Sequence, residues 1–326
     1  MPEGGIQVRN GKAFEYAIAL AYFTCLSEAG YRIVMVDDRP MQTARTCFES
    51  FPEEVRNAFM AASRASIPTI LKLESGFTSP KNIRDILHIR IAEDGEGEDG
   101  DVRDVIFTRS VSGWEVGFSA KNNNDAVKHS RLSNQIDFGD KWVGYPVSSQ
   151  YWDEINPIFE TLSGLRGLNW EDTEIDKVED VYKPLLNAFR DELLRLNSRF
   201  PDIPEKLIAY LIGEYPFYKL IKDDNARMLI VKAYNTRGEL NQTVNHNQPA
   251  YRAKPMNLPT RIVEFDYKIM RDSSVSDNTL DMIMDGGWEI SFRIHNASSR
   301  IEPSLKFDIQ LLGNPPVLFT QYLFAE

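Results

Sequence analysis

Three residues, Asp104, Ser119 and Lys121, have types and spacing that could do chemistry. Asp104 heads the strand-like run Val105-Ile106-Phe107-Thr108, and after Ser112-Gly113 the run from Trp114 to Ala120 leads into Lys121. Two such runs joined by a short polar turn predict a β-hairpin. Ser119 and Lys121, two residues apart, then share a face that Asp104 can reach from the neighbouring strand. A strand-borne aspartate beside a strand-borne lysine is what metal-dependent phosphodiester hydrolysis needs. The carboxylate holds Mg2+, with the Ala120 backbone carbonyl as a further candidate ligand, and the lysine orients or activates a water.

Such a site ordinarily has a second acid two residues before the lysine, where this chain has Ser119, a poor substitute for a charged ligand. Glu115 shares the face, but six residues of strand at about 3.3 Å each put it roughly 20 Å from Lys121. Glu15 is the better candidate. It falls within the apolar arc of a predicted helix, among Ala19, Tyr22 and Leu26, where a carboxylate is costly unless paired or bound to a cation. We expect Glu15 to reach the sheet and act as the displaced acid, completing a catalytic set of Asp104, Ser119, Lys121 and Glu15. Asp101 competes with Asp104 as the metal ligand, but lies earlier in a Gly-rich turn and is less firmly placed. The plainer readings are a solvated acidic turn for Asp104 and a strand end for Lys121, since D…SxK alone is a weak motif.

Downstream of Lys121 the sequence runs Asn122-Asn123-Asn124, then Lys128-His129-Ser130-Arg131-Leu132-Ser133. Amides and arginine suit base edges, and lysine, serine and histidine suit phosphates, so Asn122, Asn124, Lys128, His129 and Arg131 are candidate DNA contacts. The bland alternative is a polar helix face. Arg293 and His295, on the polar side of a later strand, read first as a solvated face and second as a DNA clamp.

These residues must be positioned by a mixed α and β chain. Phe14, Ala17, Ile18, Ala21, Tyr22 and Cys25 predict a helix over 11–29, stopped by Gly30. A strand is expected over 31–36, a helix over 52–66 ending before Pro68, and a strand over 86–91. The segment 93–104 carries seven carboxylates and three glycines and reads as a solvated turn. The pattern over 122–133 is polar and helical; 172–198 and 204–222 look mostly helical; strands follow over 228–234, 262–269, 282–294 and 305–312.

The fold class is therefore α/β (α+β). With 326 residues, 42% of them hydrophobic, the chain has ample core for one large domain or two ordinary ones. Two cysteines and four scattered histidines argue against a disulfide framework or structural zinc. No signal peptide or bilayer-length apolar stretch is visible, so a cytoplasmic protein without membrane association is expected. The formal net charge of −11 argues against indiscriminate coating of nucleic acid, which needs many basic side chains.

Residues 100–105, 114–121, 122–124 and 126–133 resemble the HaeIII family of type II restriction endonucleases. Ala13 to Ala17, the run Phe138, Gly139, Lys141, Trp142, and the stretch from Gly287-Trp288 through Ser304 to Phe307 are similar to it as well. The resemblance implies a PD-(D/E)XK nuclease, with a restriction-endonuclease-like central mixed sheet flanked by helices, cleaving duplex DNA at GGCC with Mg2+. It also implies a partner cytosine methyltransferase. Asp104 would be the metal aspartate and Lys121 the catalytic lysine; Ser119 and Arg103 depart from the general motif, which has an acid and a proline there. Arg131 and Lys128 would read guanine O6/N7. The nuclease core is expected over 1–165, and a helical then β-rich recognition or dimerisation region over 166–326. A palindromic target suits a homodimer or a monomer acting twice. The alternatives are a repair or structure-specific nuclease on the same fold, or a DNA-binding or interaction protein with a decayed site, against which Asp104 and Lys121 argue.

Overall fold

Every residue from Ala13 to Ala19 is buried in the first helix, α1 (Ile6–Glu28), including Glu15. A helix buried on nearly all sides needs partners all round. α2 (Arg39–Glu49) and α3 (Glu53–Leu73) pack along it, and a sheet lies against it. Small Ala13, Ala17 and Ala21 permit the close approach, and Tyr22 docks the helix through rings of Phe107 and Phe118 at 5.2 and 5.3 Å. The computed structural model describes residues 5–93, 101–123, 126–213, 215–296 and 298–324, without the side chains of 126–129. Elements are numbered along the whole chain.

The sheet of this first unit has seven strands in the order β1-β2-β3-β4-β6-β7-β12. These are β1 (Ile33–Met35), β2 (Leu87–Ile91), β3 (Val105–Arg109), β4 (Glu115–Asn122), β6 (Phe217–Asp223), β7 (Met228–Tyr234) and β12 (Phe319–Phe324). The pairs β1/β2 and β4/β6 are parallel and the others antiparallel, giving the expected mixed sheet flanked by helices. The predicted hairpin is β3–β4, with Val105 opposite Phe118, and its turn includes Gly113 at φ +72.

The second unit has an antiparallel sheet in the order β5-β11-β10-β9-β8, made of β5 (Ala126–Leu132), β8 (Ile262–Ile269), β9 (Val275–Met284), β10 (Glu289–His295) and β11 (Leu305–Gly313). Its helices are α4 (Phe138–Val143), α5 (Ser149–Gly164), α6 (Lys183–Arg199) and α7 (Ile203–Ile212). Phe189 of α6 centres the core, with ring centroids 4.8, 5.2 and 4.9 Å from Phe138, Phe292 and Phe307.

Several expectations are corrected. The polar stretch 122–133 is not a helix: it ends β4 and forms β5, which pairs with β11 through Leu132–Leu305 and Arg131–Lys306. The segment 204–222 is helical only to Ile212, and from Phe217 onward it is β6. Its run of buried residues reads equally as a buried helix or an inner strand, and pairing between β4 and β7 decides for the strand. The strand expected over 282–294 is two strands, broken at Gly286 and Gly287, both with positive φ. Pro68 does not stop α3, which continues to bury Ile70 and Leu73 despite the lost backbone donor. Two compact units are formed, the first by 1–125, 213–256 and 317–326 and the second by 126–212 and 257–316. Among the described residues, no helix is long and apolar enough to cross a membrane.

Candidate active site

The hairpin places Asp104 against the strand that carries Ser119 and Lys121. The Asp104 backbone N–H donates to the Phe118 carbonyl at 2.7 Å, continuing the ladder one step beyond Val105. Its carboxylate then turns onto β4. Oδ2 accepts the Ala120 backbone N–H at 2.7 Å and the Ser119 hydroxyl at 3.2 Å, with Lys121 Nζ 3.7 Å away. In extended backbone a residue's N–H and C=O point to the same side of the strand, so the Ala120 carbonyl opens toward Asp104 as well. Asp104 and Lys121 are each about a quarter exposed, so the cluster is open to a substrate.

Glu15 comes to the same place from α1. It lies two turns before Tyr22, on the side of the helix that meets the hairpin. Burial holds its carboxyl well above the usual carboxylate range and the charge of Asp104 adds to the rise, while Lys12 and Lys121 oppose it. Lys12 Nζ is 3.1 Å from Glu15 Oε2. Asp104 and Lys121 thus lie 3.7 Å apart, and Glu15 feels the charge of both.

The other candidates are distributed differently. Asp101 is taken up by Arg103, whose Nε and Nη2 grip its two oxygens at 2.8 Å each. Arg103 also donates to Glu115 at 2.7 Å and lies over the Tyr215 ring at 4.5 Å. Its stem crosses Gly117, where a Cβ would come within 2.2 Å of Arg103 Cδ. The arginine that departs from the motif's proline is therefore a brace for the segment entering Asp104. Asn122 ends β4 and lines a cavity of about 400 Å³ with Phe51, Phe59, Asn123 and Lys222. Asn124 and the side chains of Lys128 and His129 lie outside the described residues. Arg131 belongs to the second unit, where it donates to the Ser304 hydroxyl at 2.6 Å and lies 3.6 Å from Glu302. The stretch that looked like one DNA-reading helix is divided between the two units.

Sequence reasoning missed the lysines of β6. Lys219 is in register with Ser119 and Lys222 with Asn122, and both are buried. Lys222 sits over the Phe59 ring at 5.2 Å and pairs with Asp224, which also accepts from Asn123 at 2.6 Å. The available signal was Gly213 as a helix stop, followed by Pro216 and a short apolar run.

A metal-binding role can be tested on the donors themselves. No group of three His, Cys, Asp or Glu gathers for a metal among the described residues. Two carboxylates and a carbonyl beside solvent do fit Mg2+, which keeps several waters and takes one or two carboxylates. The Glu15 carboxyl is raised first by burial and then by the charge of Asp104, and a cation held between the two carboxylates would offset both effects.

The geometry can be set beside known proteins. The model of the HaeIII restriction endonuclease family matches residues 11–315. The type II restriction enzyme HaeIII of Haemophilus aegyptius is 35% identical over 311 residues, covering 95% of each chain. No solved structure matches. A match that runs from α1 to beyond β11 takes in Glu15, Asp104 and Lys121 alike, and on it the chain belongs to the HaeIII family of restriction endonucleases.

Proposed function

We propose that this chain hydrolyses phosphodiester bonds in double-stranded DNA at a specific sequence, GGCC by the family resemblance, and that it works with Mg2+. The observation that carries this reading is the meeting of Asp104, Lys121 and Glu15, drawn from two paired strands and a helix, in a chain of this family. Asp104, Glu15 and the Ala120 carbonyl would hold the ion; when bound it supplies charge neutralisation at the phosphate and a water of lowered pKa. Lys121 then orients the attacking water and offsets charge growing on the phosphoryl oxygens. Ser119 and the Ala120 amide hold the Asp104 carboxylate in one orientation. Lys12 counters the second carboxylate at Glu15.

The partner molecule is duplex DNA, and a cytosine methyltransferase protecting the same sequence completes the system. We place the activity in the cytoplasm, where host and entering DNA meet. A palindromic site is served by a homodimer or by a monomer cutting twice.

Incubating the protein with unmethylated plasmid and Mg2+ tests the reading. Discrete fragments ending in the GGCC site are expected. Structure-dependent nicking would move the assignment to a repair nuclease, and binding without cleavage would leave a DNA-binding protein with an inactive site. Lys121→Ala should remove cleavage while sparing binding; loss of both would overturn its catalytic role.

A further inference from the structure

We infer that the outer face of β5, β11 and β10 in the second unit is a contact surface for phosphates of the DNA backbone. The inference rests on the nuclease reading and adds to it where the duplex is held. The β-register sets Arg131, Lys306 and His295 abreast on three neighbouring strands, and Arg293 opposite Asp308 one step along. Residues alternating with them, Leu132, Leu305, Phe307, Phe292 and Ile294, are buried in the core, so the basic side chains stand on the other face. Arg293 is exposed, the Arg131 side chain is 43% exposed, and Lys306 and His295 are half-buried.

Two far-separated parts of a chain with formal charge −11, β5 and the consecutive strands β10 and β11, thus contribute basic side chains to one strip. Strands about 4.8 Å apart make the row roughly 10 Å across. That length of duplex carries about three phosphates per strand. Among the described residues, two acids stand directly beside these basic side chains: Glu302, 3.6 Å from Arg131 Nη1, and Asp308, whose Oδ2 is 2.7 Å from His295 Nε2. They do not neutralise the strip. An exposed ion pair such as Arg131–Glu302 contributes about 0–1 kcal/mol, and a guanidinium has five donors, so Arg131 can take a phosphate while keeping Ser304.

The shape selects phosphates over bases. The major groove admits a helix or a two-stranded ribbon, whereas a five-stranded face is wider than that groove of about 12 Å. Arg131 is therefore assigned to the backbone, not to guanine O6/N7.

The test measures binding to duplexes with and without GGCC, with Ca2+ in place of Mg2+, between about 50 and about 200 mM salt. Arg131→Gln, Arg293→Gln and Lys306→Gln should each weaken both duplexes alike and reduce the slope of log affinity against log salt by about 0.9. Arg131→Lys, which keeps the charge, should keep the slope and guards against a folding artefact. An unchanged slope in the triple variant overturns the assignment, and so does a loss confined to the GGCC duplex, which would mean base reading. Failure of the wild-type protein to bind either duplex would instead overturn the nuclease reading itself.

Discussion

Ser119 donates its hydroxyl to Asp104 at 3.2 Å, on the same oxygen that accepts the Ala120 amide at 2.7 Å. The residue standing where an acid is usual therefore acts on the remaining acid as a positioning group. Ser119→Ala keeps the amide bond and loses one hydrogen bond, about 1 kcal/mol, or roughly fivefold in kcat. KM for DNA should be little changed. An unaltered kcat in steady-state cleavage would show that the amide alone fixes Asp104.

Glu15 is buried on α1 and coupled to Asp104 and Lys121, so its removal should be felt at the metal rather than in the fold. Glu15→Gln keeps the shape and abolishes the cost of a buried charge. We expect Mn2+ affinity by calorimetry and Mg2+-dependent cleavage each to fall at least about 100-fold, with the melting temperature maintained or raised. Near-normal Mn2+ binding would remove Glu15 from the ligand set.

What could be read from sequence was local. The β3–β4 hairpin joins adjacent segments through a turn with its own glycine, and Glu15 follows from helical periodicity along α1. What could not be read depends on distant partners. β6 is nearly all buried, as an inner helix would be, and becomes a strand because β4 and β7 flank it. β5 has no apolar stripe to declare it, and its place is set by β11 far along the chain. Lys219, beside Ser119, was invisible for the same reason, and so was the alignment of Arg131, Arg293 and His295 with Lys306, although the first three can be singled out one by one. Register between strands, not spacing within one segment, brings them to their neighbours.

Glu74 provides a pH signature independent of the candidate active site. It is 1% exposed and accepts from Tyr218 Oη at 2.7 Å and the Asn241 amide at 2.6 Å, yet burial raises its carboxyl from 4.5 to about 7. The folded state thus keeps a proton that the unfolded chain releases, so this contribution is fully present below pH 4.5 and is lost as pH rises through about 7. Glu74→Gln should flatten the pH dependence of urea unfolding over that window by an amount on the order of 2–3 kcal/mol. Measuring the difference between wild type and variant cancels the carboxylates whose pKa values are lowered, such as Asp85 and Glu192. Parallel stability curves for the two proteins would mean that Glu74 is ionised when buried.

Gly117 lies under Arg103, and a Cβ there would meet Cδ, Cγ and Cβ of that arginine at 2.2, 2.7 and 2.8 Å. Because the contact runs along the stem and not only at the flexible end, Gly117→Ala must displace Arg103 from Asp101 and Glu115, the carboxylates it braces. Overpacking of this kind costs about 1–3 kcal/mol, and the strand entering Asp104 should lose order with it. We expect a lower melting temperature and slower cleavage. Arg103→Ala added to Gly117→Ala removes the two closest contacts, at Cδ and Cγ, so the double variant should be more stable than the sum of the two single losses. Simple additivity in thermal unfolding would show that the brace and the glycine are energetically separate.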